Sequence, residues 1–168
     1  TVDGGQTLGI TAAGSSVLFT GAVGSTTRLG AVTITSAKDV TESAGLKAAS
    51  LVQSAGTGTT LLTGLVDTNT ATGVNLTTNN ITVGAGGITT ATNGVVTFTN
   101  AGTLNINGNI AADGAVTQNG AGAVAFGGAG TRTITTTADD VNFLRAVTLN
   151  NPVTIATAGT GAGTGDVT

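Results

Sequence analysis

Apolar side chains come along this chain in short bursts spaced by two. The pairs Leu8/Ile10, Val17/Phe19, Val32/Ile34, Val74/Leu76, Ile81/Val83, Leu104/Ile106, Val141/Phe143, Val147/Leu149 and Val153/Ile155 all have this form. Such a spacing sets both side chains on one face of an extended strand. Thr, Ser and Asn fill most positions between them, so the other face is polar. Gly, Asn and Asp separate the bursts, as at Asn79-Asn80, Ala85-Gly86-Gly87 and Asn119-Gly120-Ala121-Gly122. These residues supply the positive φ angles that tight turns require.

Two stretches interrupt the pattern. Thr41 to Gln53 reads TESAGLKAASLVQ, where Glu42, Leu46, Lys47, Ala49 and Leu51 suit a short helix and Gly45 opposes one. The pattern therefore predicts a local insertion or irregular turn over 41–53. Asp139, Asp140 and Asn142 make a second break, just before Phe143.

Short strands joined by tight corners predict an all-β fold, a parallel β-helix (β-solenoid) with three strands per coil and about 20–28 residues in each. Coils stacked at about 4.8 Å would make a rod of roughly 35 Å. The alternative is an antiparallel β-sandwich, which usually has longer strands and more aromatic residues.

Internal repetition points the same way. Residues 96–106 read VTFTNAGTLNI and residues 124–134 read VAFGGAGTRTI, sharing the frame V-x-F-x-x-A-G-T-x-x-I. A looser copy, VLFTGAVGSTTRLGAVTI, runs from Val17 to Ile34 and puts Phe19 where the others have Phe98 and Phe126. The opening TVDGGQTLGI aligns with 22–29 so that Val2 and Leu8 fall over Val23 and Leu29, and Val167 near the end would take the place of Val17. Repetition at a fixed period is the mark of solenoids and arrays. The expectation is a single solenoid segment over 1–168, one unit of a longer tandem array or of a stacked filament, processed or excised from a larger product.

Composition narrows the function. Charged residues make up 8% of the 168 residues and aromatics 2%, and there are 28 Gly, no Cys, no His, no Trp and no Tyr. Average domains carry about 25% charge, so this surface is built from neutral polar groups. The net charge is −3, and the five basic residues Arg28, Lys38, Lys47, Arg132 and Arg145 stand singly. Nucleic-acid binding needs a clustered basic footprint; none is expected here. No run approaches the roughly 20 apolar residues of a membrane helix. Without Cys, a disulfide scaffold is excluded.

The phrase V-x-F-x-G-x-V-G followed by T-x-x-L-x-x-V-x-I, standing here at residues 17–34, resembles the repeats of giant bacterial surface proteins. These are the filamentous-haemagglutinin-like and autotransporter-like adhesins. The resemblance implies an exported, extracellular or cell-surface rod. It transfers no catalytic residue.

Candidate chemistry is sparse. General acid–base catalysis uses His or a perturbed carboxylate pair; His is absent, and Asp139-Asp140 are the adjacent carboxylates. Neighbours on an extended chain point to opposite faces, so this pair reads as a turn. A Ser–Lys pair such as Ser50 with Lys47 is a nucleophile–base candidate, and a solvated Lys is the simpler reading. The tail GTGAGTGDV, 159–167, has the glycines of a calcium-binding repeat but sets Asp166 directly after Gly165, out of that frame. Asp3-Gly4-Gly5 and Asp113-Gly114 read as turns, and no G-K-[ST] follows any glycine run. Sequons stand at Asn75 and Asn80. Thr-x-Thr runs at Thr33/Thr35, Thr97/Thr99 and Thr133/Thr135 raise ice binding, but their unequal spacing speaks against one regular array.

The sequence thus predicts no enzyme, no cofactor, no metal and no catalytic, binding or metal-ligating residue. It predicts a structural rod or stalk unit of a bacterial surface filament, sheath or layer, with copies of itself as partners. The alternative is an adhesin passenger that binds cell-surface glycans. Ice binding and a polysaccharide lyase rank lower.

Overall fold

The computed structural model describes residues 1–157 and 165–168. All regular structure among them is β, and every strand pairing is parallel. The β-helix reading therefore holds and the antiparallel sandwich falls. The chain winds about seven turns, each passing three faces. Two faces merge into a 12-stranded sheet and the third is a 7-stranded sheet.

Each face has a column of inward residues stacked rung on rung. On the first face the column runs Val2, Val23, Leu46, Val66, Ile88, Ile110, Ile134, Ile155. On the second it runs Leu8, Val32, Leu51, Val74, Val96, Val116, Val141, Val167. On the third it runs Val17, Val40, Thr60, Ile81, Leu104, Val124, Val147. Most members between the end rungs are fully buried, as are Phe98 and Phe126, and together they fill the interior. Phe126 meets Phe143 edge to face across it, with ring centroids 5.7 Å apart.

Glycine lets the corners come close. The Cα of Gly122 lies so near Gly102 that an added Cβ would stand 1.3 Å from the Gly102 carbonyl oxygen. Gly24 adopts a φ of +67°, a left-handed conformation costly for side chains other than glycine.

The register corrects three expectations. The 41–53 stretch is neither a helix nor an insertion: it holds the strands Val40–Glu42 and Leu46–Gln53. Leu46, Ala48 and Gln53 point inward and Lys47 outward, so strand alternation prevails over the weak helical spacing. The second strand starts on the first face and ends on the second, pairing with Val66–Thr68 and then Val74–Thr78. The shared V-x-F frame is not a structural repeat either. Phe98 lies on the second face beside Leu76, whereas Phe19 and Phe126 lie on the third. At the ends, Val2 does stack on Val23, but Leu8 stacks on Val32, and Val167 joins the column of Val141, not that of Val17.

Candidate functional site

The structure disperses the residues that could carry chemistry. Ser50 is buried and Lys47 exposed, on opposite sides of one strand, so they form no nucleophile–base pair. Asp140 uses its Oδ1 to accept from the Asp166 amide at 2.8 Å, and its carbonyl accepts from Val116 N at 2.9 Å. The Asp139 carbonyl accepts from the Thr136 hydroxyl. The Asp139-Asp140 pair therefore braces a corner between rungs. Most of the 159–167 glycine tail lies outside the described residues. Among those described, no group of three or more His, Cys, Asp or Glu side chains is placed to hold a metal ion.

Three other carboxylates, those of Asp3, Asp39 and Asp113, serve as corner braces too. Asp3 accepts from the amides of Thr26 at 2.9 Å and Thr27 at 3.2 Å, one rung on. Asp39 accepts from Thr59 N at 2.8 Å and from the Ser16 hydroxyl at 3.1 Å. Asp113 accepts from Asn93 N at 2.8 Å. In each case the backbone amide of the adjacent rung, named here first, is the main reason the carboxyl is held below its ordinary pKa. Asn80 plays the same part, accepting from Thr103 N at 2.9 Å, so this sequon's side chain is engaged in the ladder. The Asn75 side chain projects outward from the strand Val74–Thr78.

The arginines tie rungs together. Arg28 donates to the Ala48 and Asp67 carbonyls at 3.0 and 2.6 Å and pairs with the Asp67 carboxylate at 2.7 Å. Arg132 reaches the Asn107 carbonyl at 2.6 Å, and Arg145 the Gly120 carbonyl at 3.3 Å. These side chains make no joint basic surface.

The interior holds polar groups that sequence reasoning missed. Glu42 is buried on the third face, in a second inward row between Phe19 and Leu62. Its carboxylate accepts from Ala44 N at 2.7 Å, from Gly45 N, and from Gly64 N on the next rung at 3.0 Å. Gln53 accepts from the Thr60 hydroxyl at 2.5 Å. Gln118 Nε2 donates to Asn100 Oδ1 at 2.8 Å. The spacing Val40-x-Glu42 carried the signal for Glu42, but the helical reading of 41–53 hid it.

Two of the recesses among the described residues differ in character. One, of about 280 Å³, crosses the rungs at Thr77–Asn79, Thr99–Ala101 and Gly120–Ala121 and is lined by neutral residues. The other, of about 330 Å³, is apolar and lies against the last described rungs, among Phe126, Phe143, Leu149 and Ile155. No family model, curated protein or solved structure matches the chain.

Proposed function

We propose that this chain is a structural rod unit of an exported bacterial surface filament, sheath or layer, associating end to end with copies of itself. The carrying observation is that inward apolar residues on the outermost rungs stay partly uncovered while the inward columns between them are buried. Val2, in the first-face column, is 39% exposed at one end, and Leu149, stacked on Phe126, is 61% exposed at the other. Among the described residues, the strands Val147–Leu149 and Val153–Ala156 end their sheets, paired on one side only. A rung from a second copy would bury those side chains, each contributing about 1.5–3 kcal/mol if fully covered, and would extend the parallel ladders. The charged side chains, meanwhile, are largely engaged in holding rungs together. The resemblance of residues 17–34 to surface-adhesin repeats supports export.

Analytical ultracentrifugation and electron microscopy of the purified chain test this reading. Linear oligomers that lengthen with concentration are expected, and Val2→Asp with Leu149→Asp should leave monomers. A wild-type chain that stays monomeric at high concentration overturns the proposal.

A further inference from the structure

The Thr-x-Thr runs gain a meaning from the register that their positions in the sequence hide. Thr33/Thr35 and Thr97/Thr99 lie on the second face, and Thr133/Thr135 on the first. The rungs next to Thr97/Thr99 complete the row. Asn75 stacks on Thr97 and Thr77 on Thr99, while Thr117 stacks on Thr97 from the other side. Thr99 Oγ1 donates to Asn119 Oδ1 at 2.6 Å, which ties the second column to the next rung. Asn75/Thr77, Thr97/Thr99 and Thr117/Asn119 thus form a grid, two polar residues wide and three rungs deep. Val52, and beyond it Thr33, extend the first column one way, and Asn142 extends it the other. Rungs of unequal length do not spoil the grid, because the corners absorb the difference and these pairings show no register shift.

The grid has the properties of a lattice-binding surface. Its groups repeat in two directions, at about 4.8 Å between rungs and roughly 6.6 Å along each strand. Thr is stiff at χ1, and a strand restricts it further, so the hydroxyls are ordered before any ligand arrives. That lowers the entropic cost of engaging many weak contacts at once. The grid residues carry no formal charge, whereas the first face carries Lys47, Asp67 and Arg132. An uncharged face offers nothing to an ionic polymer or mineral and complements a neutral array of hydrogen-bond donors and acceptors. A crystalline polysaccharide would also be neutral, but sugar rings favour aromatic platforms; the chain has no Trp or Tyr, and Phe98 and Phe126 are buried. We infer that the second face binds ice through the grid Asn75/Thr77, Thr97/Thr99 and Thr117/Asn119, a property independent of end-to-end assembly.

The test is ice-crystal microscopy and ice recrystallisation on the purified chain. The wild type should facet growing crystals and keep small crystals small. Thr97→Lys with Thr99→Lys should lose both effects while keeping the β circular-dichroism spectrum. Thr82→Lys, outward on the third face, should keep both. If the lysine pair fails to fold, Thr97→Val with Thr99→Val, which keeps the branched shape and removes the hydroxyls, should still weaken both. Round, unshaped crystals with the wild type overturn the inference. So does equal loss from the third-face variant, or wild-type binding to crystalline cellulose or chitin in place of ice. Val2→Asp with Leu149→Asp should leave ice activity in place, which separates it from assembly.

Discussion

The guanidinium of Arg28 reaches the carboxylate of Asp67 at 2.7 Å across 39 residues of chain, spanning two rungs of the solenoid. On the way it donates to the Ala48 carbonyl of the rung between. Both side chains are about a quarter exposed, so the ion pair itself contributes little, and the bonds to carbonyl oxygens carry most of the effect. Arg28→Ala should cost about 1 kcal/mol, lowering the melting temperature by about 2–4 °C in a chain of this size. Arg28→Lys should not restore it, because a single ammonium cannot reproduce the planar fork that meets these acceptors. Thermal melts of the two variants check this.

Gln118 and Asn100 test the polar interior. Both are buried, and Gln118 donates to the Asn100 amide oxygen. Asn100→Ala removes the nearest of three acceptors of Gln118 Nε2, which keeps the Gly120 and Gly122 carbonyls at 3.1 Å, and takes the Asn100 donor from the Gly102 carbonyl; it should cost about 1 kcal/mol. Replacing both residues by Leu should cost less than the sum of the single changes, since the bond they share is lost only once, although the Gly102, Gly120 and Gly122 carbonyls also lose their side-chain donors. A double-mutant cycle by chemical denaturation reads the coupling.

Glycine substitutions should divide sharply by corner. A Cβ at Gly122 would collide with the Gly102 carbonyl, which is held in the stacked backbone, so Gly122→Ala should destabilise by about 3 kcal/mol or more. A Cβ at Gly14 would meet nothing within 4 Å, and Gly14→Ala should stay within about 0.5 kcal/mol of wild type. Denaturation midpoints of the two variants decide the point.

Acid should loosen the corners. Asp3, Asp39 and Asp113 have folded-state pKa values below the ordinary 3.8, chiefly through the amides of Thr26, Thr59 and Asn93. A depressed folded pKa gives stability that is present above the unfolded value and is lost as pH falls through the folded one. Protection of the Thr26, Thr59 and Asn93 amides from hydrogen exchange should therefore be full near neutral pH and decline below about pH 4. Asp39→Asn keeps an acceptor oxygen that does not titrate, so the Thr59 amide in that variant should lose the steep acid dependence.

The candidate surface was only half legible. The alternation Val74/Leu76 and the frame Val96-x-Phe98 put Asn75 and Thr97 on the outward face, whereas Val116-Thr117-Gln118 has no apolar pair to mark Thr117. Neither pattern could show that the three stack on one another, because the corners between them differ in length. The inward carboxylate of Glu42 was similarly concealed. Its burial becomes understandable only when the Gly64 amide of the next rung is seen to meet it.

What the chain determined by itself was local: where strands lie, which side chains face inward, and that Gly, Asn and Asp make the corners. A period of two is a property of each extended segment, set by backbone geometry whatever the segment pairs with. Which strand stacks on which was decided only in three dimensions. Val32 lies beside Leu51 and Val141 beside Val167 although different lengths of chain separate them. The V-x-F frame, read as one repeat, sends Phe98 to the second face and Phe126 to the third. Similar local patterns fit any face. The continuous ladder of hydrogen bonds and the close filling of the interior select one register, and those are properties of neighbouring rungs together.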